Sequence, residues 1–141
     1  MILYLDTSSL VKLYVDEQHS ADVRQWVKDA EIVATCRVAF PEAMSALYRK
    51  YRAGDLEKKM FAGLTEGFSA EWRTFAVIDF EEQEAGRLAV KHGLRGFDAI
   101  HLSSAGLLKA TLHKTPMFFS SFDEQLNRAA RGERMTVMKP E

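Results

Sequence analysis

Short apolar runs alternate with longer amphipathic stretches along this chain, and the alternation predicts its architecture. Met1-Ile2-Leu3-Tyr4-Leu5 is apolar without interruption until Asp6, which reads as a buried strand, and Thr7-Ser8-Ser9 then open a short helix through Tyr14. His19 to Ala30 carries Val23, Trp26, Val27 and Ala30 at helical spacing, and Ile32-Val33-Ala34 forms a second strand. Pro41 suits the first turn of the next helix, where its missing N–H is not needed. Ala43, Met44, Leu47, Tyr48 and Tyr51 mark that helix's apolar face, and Glu42 falls in its opening turn.

Gly54 stops this helix, Asp55 caps another running to about Phe68 or Trp72, and Phe75-Ala76-Val77-Ile78 is a third strand. Phe80 to His92 is helical and ends at Gly93. A loop with Arg95 and Gly96 then leads into a helix that carries Asp98 in its first turn and extends to about Ala110. Pro116 precedes a fourth strand, Met117 to Ser121, Asp123 opens a helix through about Ala130, and Met135 to Met138 predicts a final edge strand. Strands alternating with helices imply parallel pairing through right-handed crossovers. The expected fold is α/β, a mostly parallel sheet of four to five strands flanked by helices.

With 141 residues, 47% of them hydrophobic, the chain has material for one compact core, and one domain over residues 1–141 is expected. The 19 Lys and Arg against 20 Asp and Glu leave a net charge of -1, so no overall basic field attracts nucleic acid and any such site must be local. Cys36 is the only cysteine, which excludes an intramolecular disulfide and fits a reducing, cytoplasmic compartment. The apolar start is too short for a signal-peptide core and reaches Asp6 before a membrane-length stretch forms; neither secretion nor membrane insertion is expected.

Four acids stand out, because Asp6, Glu42, Asp98 and Asp123 each lie where a strand or loop hands over to a helix. Singly, each has an ordinary explanation as a helix cap or a first-turn charge complementing the helix dipole. Parallel topology, however, carries all four helix starts to the carboxyl edge of the sheet, where open α/β proteins place their ligands. Carboxylates gathered there repel one another unless a cation intervenes. An all-oxygen set suits Mg²⁺ or Mn²⁺, which commonly keeps waters and a substrate phosphate in its shell, and the implied chemistry is phosphodiester hydrolysis. The hydroxyls of Thr7, Ser8, Ser120 and Ser121 lie beside Asp6 and Asp123 as supporting groups or plain caps.

At these residues the chain resembles the PIN-domain ribonucleases, and within them the VapC-like toxins of toxin–antitoxin pairs. The resemblance rests on Tyr4-Leu5-Asp6-Thr7-Ser8, on Glu42 opening a helix after the second strand, on Phe97-Asp98-Ala99-Ile100-His101-Leu102, and on Ser120-Ser121-Phe122-Asp123. It implies a metal-dependent endoribonuclease with Asp6, Glu42, Asp98 and Asp123 as the acidic quartet. Asp6 and Asp98 are then the surest ligands of Mg²⁺ or Mn²⁺, with Ser8 and Ser121 in support. It also implies an RNA substrate, a homodimer, and a small antitoxin whose C-terminal segment lies in an apolar groove and reaches the acidic site.

For the RNA backbone, Lys12 and Arg95 are the cations nearest the quartet in sequence, with Arg37, Arg49, Lys50 and Arg52 as further candidates. His101, three residues after Asp98, is expected to pack or hydrogen-bond nearby. The apolar excess from Phe61 through Phe68 to Trp72, and from Leu10 to Val15, is core by default and interface otherwise. Among rivals, a receiver-type phosphoacceptor domain needs two neighbouring acids after the first strand, where Asp6 stands alone. A haloacid-dehalogenase-like phosphatase needs an Asp where Ser8 stands. A catalytically inactive PIN-like module that binds RNA or a partner is the remaining alternative.

Overall fold

The computed structural model describes residues 1–141. Its strands are β1 (Ile2–Leu5), β2 (Ile32–Cys36), β3 (Ala76–Ile78), β4 (Met117–Ser120) and β5 (Thr136–Val137). They form one sheet in the order β3-β2-β1-β4-β5, and every neighbouring pair is parallel. The predicted mostly parallel sheet is therefore parallel throughout, with β1 at its centre. A receiver-like sheet would instead place its first three strands in the order 2-1-3; the observed order removes that rival.

The helices are α1 (Thr7–Val11), α2 (Ser20–Asp29), α3 (Ala39–Arg52), α4 (Lys58–Glu71), α5 (Glu82–His92), α6 (Gly96–Thr111) and α7 (Glu124–Gly132). Because all four residues of β1 are buried, alternate side chains feed two cores. Ile2 and Tyr4 join Leu88, Leu102, Phe119 and Leu126 under α5, α6 and α7, whereas Leu3 and Leu5 join Leu10, Val23, Ala43 and Phe68 under α1 to α4. The apolar excess around Phe68 and Trp72 is thereby explained. Phe68 is fully buried and makes ring contacts with Tyr14, Phe40 and Trp72, so that segment closes a core.

Several boundaries differ from expectation. The first helix stops at Val11, and Lys12, Leu13 and Tyr14 follow as tight turns whose N–H groups reach back three residues to Ser9, Leu10 and Val11. Glu57, and not Asp55, stands at the cap of α4. Helix α5 begins at Glu82 because the Glu81 carboxylate accepts from the N–H groups of Gln83 and Glu84, which leaves Phe80 outside. Gly54 and Gly93 end their helices with φ of 86° and 65°, the left-handed conformation that favours glycine. The last strand shrinks to two residues.

Candidate active site

Parallel pairing sets the site at the carboxyl edge, and register aligns its parts. Leu5 pairs with Ser120, so β1 and β4 end level and Asp6 lies beside the turn that carries Ser121 and Asp123. Asp6, only 4% exposed, caps α1: its Oδ1 accepts from the Ser9 N–H at 3.0 Å and from the Ser8 hydroxyl at 2.7 Å. Ser8 Oγ also accepts from the Phe122 N–H at 3.0 Å, and the Ser9 and Ser120 hydroxyls meet at 2.8 Å. These bonds fasten the start of α1 to the turn after β4. Asp123 caps α7 through Oδ1, which accepts from the Leu126 N–H at 2.9 Å, while its own N–H donates to Ser121 Oγ at 3.0 Å.

Glu42 is held from two sides. Its Oε1 accepts from the Thr7 hydroxyl at 2.6 Å and from His101 Nε2 at 3.0 Å, and His101 Nδ1 meets the Tyr4 hydroxyl at 2.8 Å. Burial pushes the Glu42 carboxyl up, but the hydrogen bonds from His101 and Thr7, with the His101 charge, outweigh it and leave the group below the usual carboxylate range. Glu42 therefore accepts only, which assigns the proton facing it to Nε2. Tyr4 is fully buried, and burial first, then Cys36 and Asp6, raises its phenol well above the ordinary value. The phenol keeps its proton, and the hydrogen-bonded chain runs from Tyr4 through His101, whose Nε2 also lies 3.1 Å from the Thr7 hydroxyl, to Glu42.

Sequence reasoning gave His101 a packing or hydrogen-bonding place, which it has, but it missed Tyr4 and the clamp on Glu42. The only sequence signal was the three-residue spacing that sets His101 one helical turn from Asp98.

Asp98 lies in the first turn of α6; its carboxylate has no hydrogen-bond partner, which makes it the least compensated acid of the four. Its carboxyl is pushed above the usual range by burial first and then by Asp123 and Asp6, with Glu42 adding to the effect and the His101 charge opposing it. The four acids thus share one electrostatic centre. Asp6, Glu42 and Asp123 each spend their hydrogen bonds on a single oxygen, leaving the other available, and both Asp98 oxygens are available. No three His, Cys, Asp or Glu side chains form a closed metal cluster. That donor set fits a hard cation held by one or two carboxylates that completes its shell with water and phosphate, and it does not fit an ion such as zinc that demands a full set of protein ligands.

The cations divide. Lys12, its side chain 11% exposed, pairs with Glu17 at 3.1 Å and lies over the Phe122 ring at 4.6 Å; Lys50 pairs with Glu17 and Arg37 with Asp79. Arg95, immediately before α6, and Arg49, on α3, face no carboxylate within ion-pair distance.

The family described as PIN domain matches residues 3–132, a span that contains all four acids. The chain belongs to the PIN-domain family. Among similar PIN-domain chains, Ribonuclease VapC45 of Mycobacterium tuberculosis is 33% identical over 107 residues, 74% of either chain. Ribonuclease VapC47 of the same species is 28% identical over 143 residues, covering 99% of this chain and 97% of its own. A toxin–antitoxin complex from Klebsiella pneumoniae contains a chain with the same fold, at a TM-score of 0.65 and 17% identity over 99% of this chain and 98% of that one.

Proposed function

We propose that this PIN-domain chain, over residues 1–141, is a Mg²⁺- or Mn²⁺-dependent endoribonuclease and the toxin of a toxin–antitoxin pair. The observation that carries the proposal is Asp98, an unbonded carboxylate whose ionisation is opposed by burial and by three neighbouring acids. Relatives named as VapC ribonucleases, and the fold shared with a toxin–antitoxin complex, support the substrate class and the antitoxin partner. The proposal includes a homodimer, as the family resemblance implies, and a cytoplasmic setting, which the single cysteine fits. No helix is long and apolar enough to cross a membrane.

In this proposal Asp6 and Asp98 hold the cation, and Asp123 shares in balancing its charge. When bound, the cation lowers the pKa of an attacking water and withdraws charge from the phosphoryl oxygens. Glu42, fixed through Oε1, keeps Oε2 to take a proton from the water as it attacks phosphorus; the phosphodiester P–O bond breaks with its electron pair going to the leaving ribose oxygen, which takes a proton from solvent water. Ser8 fixes Asp6, and Ser121 fixes the backbone at Asp123. Arg95 draws in the RNA backbone, whereas Lys12, already paired with Glu17, contributes less.

RNA cleavage by the purified protein, with and without divalent metal and beside Asp6→Asn and Asp98→Asn, tests the proposal. Cleavage that needs Mg²⁺ or Mn²⁺ and falls by about 10²-fold or more in each variant is expected, since each removes a ligand of the only charge-neutralising group. Undiminished cleavage in chelator or in both variants would refute the metal mechanism. Metal-independent RNA binding without cleavage would favour the inactive binding module.

A further inference from the structure

Beside the acidic centre lies a cavity of about 370 Å³ lined by Thr7, Pro41, Glu42, Ser45, Ala46, Arg49 and Phe97. Its volume is within the range of small-molecule sites, ~300–1,000 Å³. Two of its walls are unexplained by folding. Phe97 is 57% exposed, belongs to neither hydrophobic core and makes no contact with another aromatic ring, although it directly precedes Asp98. Arg49 donates to Ser45 Oγ at 2.7 Å, one helical turn earlier, which aims its guanidinium along the cavity wall; like Arg52, Arg73, Arg95, Arg128 and Arg134 it has no carboxylate within ion-pair distance, but of these six it alone lines this cavity.

An exposed phenyl ring costs the folded protein apolar contact with water, and an oriented guanidinium without an anion gains little. Both make sense against an unpaired nucleotide. Single-stranded RNA is held by stacking its bases on aromatic faces and by cations along its phosphates. Glu42 lines the same cavity, so a nucleotide there would adjoin the scissile phosphate rather than a distant stretch of backbone.

We infer that the Phe97–Arg49 cavity is the subsite for the unpaired nucleotide flanking the cut, Phe97 stacking its base and Arg49 taking its phosphate. This rests on the endoribonuclease reading, which it extends by naming where the substrate is gripped. The larger cavity between α5 and α6 contains none of the four acids, and its lining mixes Glu81, Glu84 and Glu133 with Lys109 and His113.

Steady-state cleavage of a short oligoribonucleotide by wild type, Phe97→Ala, Phe97→Tyr and Arg49→Gln, repeated with an abasic residue on either side of the cut, tests the subsite. Phe97→Ala should raise KM on the order of tenfold with kcat and melting temperature little changed, and Phe97→Tyr should restore KM. The abasic residue on one side should raise KM for wild type but not for Phe97→Ala, because the lost contact is the same one. An unchanged KM in Phe97→Ala, or an abasic penalty equal in both proteins, overturns the subsite.

Phe97→Trp in an Asp98→Asn background supplies a readout independent of turnover. Quenching of the added indole by the oligoribonucleotide, weakened by Arg49→Gln, supports the subsite even if wild type cleaves no RNA, an outcome that would sink only the nuclease reading. Absence of quenching overturns the subsite whether or not cleavage occurs.

Discussion

His101 illustrates what one buried residue does for a site made of other side chains. At 2% exposure it joins Tyr4 in the core to Glu42 at the rim, and the bonds it makes span 97 and 59 positions of sequence. No local pattern could have disclosed them. The four acids were legible because each lies at a strand or loop to helix junction, a local feature, whereas the clamp on Glu42 exists only once β1, α1, α3 and α6 are assembled. We treat His101 as a positioning residue. His101→Gln sets an amide N–H near Nε2 and should keep cleavage within about tenfold of wild type, while His101→Asn reaches only toward Nδ1 and should lose about 10²-fold in kcat. Both replace the same buried ring and should lower the melting temperature alike, so equal activity in the two variants would show that the role is packing alone.

At the scale of elements, the strands were read closely because period and apolar content mark them, and helix ends less well because caps decide them. The structure chose Glu57 over Asp55 and Glu81 over Phe80 through backbone geometry and bonds two or three residues away. The start of α1 shows a cap with a second duty. Ser8 donates to Asp6 and accepts from the Phe122 N–H, so it joins the ends of β1 and β4 across 114 positions. Ser8→Ala leaves that N–H without its partner. Its loss should cost about 1–3 kcal/mol, read as a lower urea midpoint with an unchanged slope, and cleavage should fall with it. Ser8→Thr, which keeps the hydroxyl, should recover most of both; a wild-type midpoint in Ser8→Ala would contradict the bridging role.

For the whole molecule, one parallel sheet with β1 at its centre converts four separate helix starts into one acidic edge. The same topology makes the site unstable by itself. Asp98 has a folded-state pKa above its ordinary value, so between the two values the native state binds more protons than the unfolded state, and stability falls as pH rises through that window. Above it the full penalty of the ionised group remains. A cation that binds only the folded site offsets that penalty by mass action, about 2.7 kcal/mol at a hundredfold excess over its Kd.

The most direct test is therefore the melting temperature of wild type and Asp98→Asn from pH 4 to pH 8, with and without Mn²⁺. Without metal, Asp98→Asn should melt higher at neutral pH, with the gap closing as pH falls through the raised Asp98 pKa, and Mn²⁺ should raise wild type by several degrees but the variant little. Equal Mn²⁺ shifts in the two proteins, or none in wild type, would contradict the claim that these acids form a metal centre.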